Sequence, residues 1–172
     1  ASSFSRAQDN YVVQWGQNES DKPFPAGVVA KPPAEYARPL AGLTVAPLGS
    51  PDAYASRAGF AGGWPVAVHD QEQLANLAHC YAMVGVGRGL SPDTGTGGEL
   101  YTVIGHAPRH LDRNIAVVGR IVQGLEHMSS LPRGTEALSP CRRFTSASKG
   151  SSTCAKTCRT AARCWSLPTT RA

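Results

Sequence analysis

The 172-residue sequence lacks an apolar run of the roughly 18–20 residues that a membrane-spanning helix needs, which excludes an integral membrane protein anchored by one. Aromatic residues are scarce, at 7%, and the first residues carry neither an initiator Met nor the apolar run of a signal peptide. Glycine and proline are abundant instead, with 18 and 13 copies, which indicates turns and loops rather than long helices. The length fits one domain with its own core.

Motifs for metal, nucleotide and hydrolase sites are also missing or incomplete. Residues 85–89 read G-V-G-R-G, in which the third glycine falls one residue early for the dinucleotide pattern G-x-G-x-x-G. No nucleophile elbow G-x-S-x-G occurs. Cysteines with the paired short spacing of a zinc ribbon are absent as well. The sequence therefore predicts neither a metal site nor a cofactor.

Positive charge is concentrated at the C-terminus. The formal net charge is +5, but residues 1–140 contain 10 Lys and Arg against 12 Asp and Glu, whereas residues 141–172 contain seven basic residues and no acid. The last segment has no apolar periodicity, so residues 139–172 are predicted to form a disordered basic tail rich in Cys, Ser and Thr. Two alternatives stay open: an arm that binds an anionic polymer, and a small metal knot formed by Cys154, Cys158 and Cys164.

Hydrophobic patterning predicts a mainly β fold. Four stretches rich in strand formers are predicted as strands, at residues 11–16, 79–86, 99–105 and 115–121. After Gly124 apolar residues recur at every third position up to Leu131, which predicts one amphipathic helix that ends before Pro132. Several strands, Gly-rich turns and one late helix predict a β-barrel or sandwich with a helical cap.

Proline interrupts every candidate element between residues 17 and 78. Eight prolines fall in this stretch, so Leu43–Ala46 is predicted as one brief edge strand at most, and Gln71–Asn76 as a helical turn. The stretch is therefore interpreted as a long Pro-rich insertion.

Two segments resemble a known family. Residues 4–16, FSRAQDNYVVQWG, resemble the cyclophilin segment F-H-R-hydrophobic-x-x-x-F-hydrophobic-hydrophobic-Q-G-G. Residues 110–126, HLDRNIAVVGRIVQGLE, follow the cyclophilin pattern W-L-D-G-x-x-V-V-F-G-x-V-x-x-G-M-x position by position. The order of these segments and the ungapped run from His110 to Leu131 make the combination specific.

Two shorter segments between them fit the same family. Residues 96–103, TGGELYTV, stand where cyclophilins have N-G-S-Q-F-F-I, and residues 83–87, MVGVG, stand where they have the S-M-A-N-A-G strand. The resemblance covers residues 4–16 and 79–134, about two fifths of the chain.

The resemblance implies an antiparallel β-barrel, here incomplete, with a capping helix. The strands and helix that the family places before Phe4, and its closing strand after Leu131, have no counterpart in the sequence. We therefore expect a partial cyclophilin-like domain at residues 1–138 with the Pro-rich insertion at 17–78, followed by the tail.

The resemblance also implies a peptidyl-prolyl cis-trans isomerase that needs no cofactor or metal. Its expected partners are proline-containing peptides and unfolded proteins, without nucleic acid or membrane, and the expected state is a monomer. A periplasmic location is favoured over the cytoplasm, as in bacterial relatives with long insertions. A non-catalytic peptide-binding module and an inactive fragment are the alternatives.

Site residues follow from the resemblance position by position. Arg6 is the expected donor to the prolyl nitrogen, and Gln14 helps to place it. The remaining positions are those that line the proline cup or contact the substrate: Tyr11, Val12, Val84, Gly85, Glu99, Tyr101 as the floor, His110 at the rim and Leu111 as a side wall. Several of them depart from the family, with Gly85 in place of Asn, Glu99 in place of Gln and His110 in place of Trp; Ile115 also stands where a His is usual.

Overall fold

The structure, a computed structural model, describes residues 3–16 and 24–134. The tail predicted at residues 139–172 lies outside the described residues. In chain order the elements are β1 (Ser3–Ala7), β2 (Val12–Gly16), β3 (Arg38–Pro39), β4 (Ala46–Pro47), β5 (Arg57–Ala61), β6 (Trp64–His69), β7 (Leu74–Leu77), β8 (Met83–Val86), β9 (Glu99–Val103), a 3₁₀ helix (Ala107–Leu111), β10 (Val117–Arg120) and α1 (Leu125–Ser129).

The strands form two antiparallel sheets of five strands each. The first has the spatial order β1-β2-β9-β8-β10 and the second β3-β7-β6-β5-β4. Within the described residues each sheet is open, so the mainly β prediction is confirmed as two open sheets. The strands predicted at 11–16, 99–105 and 115–121 are confirmed as β2, β9 and β10. The strand predicted from His79 begins only at Met83, because the chain turns at Ala82, whose φ is 74°.

The Pro-rich stretch forms the whole second sheet, so the prediction of at most one brief edge strand there is wrong. Its central hairpin, β5–β6, turns through Gly62 and Gly63, both at positive φ as a tight hairpin turn requires. Pro39 and Pro47 lie in the edge strands β3 and β4, where a missing N–H interrupts fewer ladder hydrogen bonds. The helical turn predicted at Gln71–Asn76 is also wrong, since Leu74–Leu77 is a strand that pairs with β6.

The first sheet buries apolar side chains on both faces. On one face Val12, Met83, Tyr101 and Val103 form a cluster against which Trp64 of the second sheet packs. On the other face Ala7 and Val13 pack against Met128 of α1, which confirms the predicted capping helix. That helix begins after Gly124, which caps it in the left-handed conformation with a φ of 84°. No helix within residues 3–16 and 24–134 has the length and apolarity required to cross a bilayer.

Candidate functional site

Five residues, one from each strand of the first sheet, lie in a single row across it. Arg6 pairs with Gln14, Gln14 with Tyr101, Tyr101 with Gly85, and Gly85 with Val117. Directly paired residues of antiparallel strands project to the same face of the sheet. The two predicted catalytic positions and the predicted cup floor therefore share one face, and we call this set the cross-sheet row.

A β-bulge aims Arg6 at the row. Phe4 pairs with Trp15 and Arg6 with Gln14, so the register shifts between Phe4 and Arg6. Without the shift these two residues, two positions apart, would project to the same face. The bulge sends Phe4 to the helix-covered face and Arg6 to the face of Tyr101.

Arg6 is held by a neighbour that the sequence did not single out. Its Nη2 donates a hydrogen bond to Oε1 of Gln8, and its guanidinium carbon lies 5.9 Å from the centre of the Tyr11 ring. Burial raises the pKa of the Tyr11 hydroxyl, while the charge of Arg6 opposes that rise. Gln8 belongs to no recognisable sequence motif. Its position two residues after Arg6, on the turn between β1 and β2, is the one sequence feature that could indicate this contact.

The predicted lining of the proline cup comes together around the row. Val12 and Tyr101 belong to one buried cluster, with exposed fractions of 3% and 5%. Tyr11 and Leu111 are partly buried and pack against that cluster, and Ile115 joins them. The structure thus gathers four predicted lining residues from three separate stretches of the chain.

Of two further predicted residues, His110 contacts this group through Tyr11 and Glu99 contacts Ser5 of β1. The His110 ring stacks on Tyr11, with centroids 5.6 Å apart and planes 7° apart. Oε1 of Glu99 accepts a hydrogen bond from Ser5 at 3.4 Å. Val84 differs from the rest: it pairs with Thr102, next to Tyr101, so its side chain projects to the opposite face from the row.

The Tyr101 ring occupies the space that a side chain at position 85 would need. A Cβ built on Gly85 would lie 2.3 Å from both Cζ and Oη of Tyr101. Real Cβ contacts are never this short, so glycine at this position is required by the ring beside it.

We expect Gly85→Ala to lower the free energy of unfolding by about 1–3 kcal/mol, because the added methyl overpacks a rigid ring. Urea unfolding measures the change. Gly98→Ala is the matched control, since its methyl would lie 3.3 Å from the Thr96 hydroxyl and 4.0 Å from a ring carbon of Phe24. Adding Tyr101→Leu should remove most of the penalty of Gly85→Ala; full additivity of the two substitutions would contradict the clash.

Tyr101 also has a buried partner. Its hydroxyl lies 2.9 Å from Nε2 of His79, and the two rings are stacked with planes 17° apart. Burial raises the pKa of Tyr101, with Tyr11 and Asp112 contributing. The sequence offered one signal for this contact: a tyrosine at a position where the family has phenylalanine must bury a hydroxyl, which needs a partner.

The described residues also line concave surfaces, one of which adjoins Val117 at the end of the row. A cavity of about 610 Å³ opens between the sheets, lined mainly by apolar residues that include Phe60, Tyr81 and Met83. A smaller one of about 360 Å³ adjoins Ile115 and Val117. Among the described residues no group of three or more His, Cys, Asp or Glu side chains is arranged to hold a metal ion.

Comparison with known proteins identifies the fold. The structure matches the crystal structure of cyclophilin AquaCyp293 from Hirschia baltica with a TM-score of 0.61 and 22% sequence identity, over 81% of this chain. The matched region spans 56% of the length of that protein. No protein-family model matches the sequence, and no curated protein matches it significantly. The predicted cyclophilin-type fold is thus confirmed by structural similarity.

Proposed function

We propose that this chain is a peptidyl-prolyl cis-trans isomerase that binds X–Pro segments of peptides and unfolded proteins over the cross-sheet row. The single observation that carries the proposal is the alignment of Arg6, Gln14 and Tyr101 as direct neighbours on one face. The cyclophilin-type fold supports it. The reaction requires a hydrogen-bond donor and an apolar surface for proline, and Arg6 and the residues around Tyr101 are of these types.

The enzyme must lower the barrier to rotation about the X–Pro amide bond, and no covalent bond is made or broken. Partial double-bond character gives the amide a rotational barrier of about 18–20 kcal/mol, so that uncatalysed isomerisation takes about tens of seconds or longer. As the bond twists, the prolyl nitrogen becomes pyramidal and its lone pair can accept a hydrogen bond. A donor placed there withdraws the lone pair from amide resonance and stabilises the transition state.

Arg6 suits that donor role because a guanidinium is charged at every working pH and presents a rigid fork of N–H groups. The Tyr11 ring below it and Gln8 beside it limit its freedom. Tyr11 and Leu111, which are partly buried and pack against the cluster of Val12 and Tyr101, offer an apolar surface for the prolyl ring. In this proposal the ring rests on the cluster while the preceding carbonyl rotates past Arg6.

A non-catalytic peptide-binding module is the second candidate, and one observation favours it. The Tyr101 ring fills the space beside Gly85, so position 85 offers a peptide only backbone groups. Tyr101 itself is 95% buried, which limits its contact with a prolyl ring. Such a module would bind an X–Pro peptide without accelerating its isomerisation.

A protease-coupled assay on a short X–Pro peptide separates the two candidates. The isomerase predicts that the slow phase, cleavage limited by cis-to-trans conversion, becomes faster in proportion to protein concentration. The binding module predicts an unchanged slow phase together with saturable binding of the same peptide. A peptide with alanine in place of proline is the control and should show no slow phase.

A further inference from the structure

We propose that His79 and Asp112 are positioning residues that fix the Tyr101 ring as the floor of the peptide site, and that Asp52, through Arg109, makes the second sheet part of that support. The inference rests on the proposed peptide site over the cross-sheet row. A chain of polar groups connects Asp52 to Tyr101, and the proposed proline chemistry does not itself use it.

The inner half of the chain runs from Tyr101 to Asp112. The His79 side chain is fully buried, and that of Asp112 is 7% exposed. Nδ1 of His79 lies 2.8 Å from Oδ1 of Asp112, and the same oxygen accepts the His79 backbone N–H at 2.8 Å. A carboxylate only accepts, so Nδ1 carries a proton and donates it to Asp112, while Nε2 lies 2.9 Å from the Tyr101 hydroxyl.

The outer half connects this dyad to the second sheet. Nε of Arg109 donates to Oδ2 of Asp112 at 2.8 Å, and its two terminal nitrogens donate to both oxygens of Asp52 at 2.9 and 3.1 Å. Arg109 also lies over the Tyr54 ring at 5.0 Å. Asp52 belongs to the segment between β4 and β5, so four successive hydrogen-bonded pairs of side chains connect the Pro-rich insertion to Tyr101.

The buried chain affects the orientation of the Tyr101 ring. The Tyr101 ring lies beside Gly85, which has no side chain to restrain it, so the hydroxyl contact with His79 restrains the tilt of the ring. A ring that contacts proline in both the ground state and the transition state contributes uniform binding. Loosening the ring should therefore raise KM and the peptide Kd while kcat changes little.

Three single variants test this. Tyr101→Phe keeps the ring and removes the anchor, and we expect the KM and Kd for an X–Pro peptide to rise about three- to tenfold, with kcat changed less than about twofold. Asp52→Asn, outside the row, should raise both about two- to threefold. Asp70→Asn is the matched control, because Asp70 pairs with Arg57 in the same sheet but has no link to Tyr101; it should change neither.

A spectroscopic readout independent of turnover completes the test. Nitrogen-15 NMR should show a protonated Nδ1 on His79 in the wild type, with its Nε2 resonance shifted in Tyr101→Phe. If Tyr101→Phe and Asp52→Asn lower only the melting temperature and leave KM, Kd and the His79 resonances unchanged, the positioning role is overturned. A wild type that binds the peptide without turnover, with Kd still responding to the two variants, would keep the positioning role and reject catalysis. A wild type that does not bind the peptide overturns both.

Discussion

Replacing Arg6 with alanine is expected to lower kcat/KM for an X–Pro peptide by about 10²- to 10³-fold, the cost of removing one preorganised donor at a transition state. Arg6→Lys should recover only a small part of the rate, because an ammonium keeps the charge but loses the rigid fork. Binding of the peptide in its ground state should weaken far less than turnover. Steady-state kinetics together with calorimetric Kd values measure the two effects separately.

The control for this substitution is Arg57→Lys in the second sheet, where the guanidinium is partly exposed and pairs with Asp70. It should leave kcat/KM within about twofold of the wild type, as surface ion pairs contribute little. Equal losses for Arg6→Lys and Arg57→Lys would mean that Arg6 acts through general stability rather than at the reacting bond.

Asp112→Asn is expected to lower the free energy of unfolding by about 3–5 kcal/mol, a large part of the stability of a domain this size. In the wild type, Nε of Arg109 and two N–H groups of His79 donate to the Asp112 carboxylate. An asparagine amide has one NH₂ group in place of a carboxylate oxygen, so one of these sets of donors faces another donor. Arg109 and His79 then remain buried with an incomplete set of partners. Urea unfolding monitored by fluorescence measures the loss.

Glu72→Gln is the matched comparison, since Glu72 also pairs with an arginine, Arg113, but both side chains are more than a third exposed. We expect it to cost less than about 1 kcal/mol. A similar small cost for Asp112→Asn would contradict the view that the buried chain supports the fold.

The same carboxylate gives stability a defined pH dependence. Burial alone would raise the pKa of Asp112, but hydrogen bonds from the His79 ring, the His79 backbone and Arg109 outweigh it and lower the pKa. The pKa of Asp52 is lowered in the same way, because its bonds to Arg109 and Tyr54 outweigh burial. A depressed folded-state pKa contributes stability above the unfolded value of about 4 and loses it as the pH falls through the folded value. Asp112→Asn should therefore flatten the acid limb of the stability curve below about pH 4.

Much of the first sheet could be predicted from the sequence. Val12, Val13 and Val117 are β-branched, as is typical of strands. The resemblance to the family around Arg6 and Leu111 predicts that these two stretches lie close together in the fold. The capping helix was identified from apolar residues at every third position. These features are local, so a short window of sequence contains them.

The second sheet was missed because its signals conflict locally. Eight prolines suggested broken structure, yet Pro39 and Pro47 fall on edge strands and Gly62–Gly63 supplies the hairpin turn. The contacts of Tyr101 were missed for a different reason. His79 and Asp112 are 33 residues apart, and no short pattern indicates that both converge on a residue of a third segment.

The most direct test of the central claim is an NMR titration of the ¹⁵N-labelled chain with a short X–Pro peptide and with its alanine analogue. The account predicts that the proline peptide shifts the amide resonances of Arg6, Gln14, Tyr101 and Gly85 along the cross-sheet row, and that the analogue does so far more weakly. Shifts confined to Phe60 and Tyr81, in the cavity between the sheets, or equal shifts from the two peptides would contradict it.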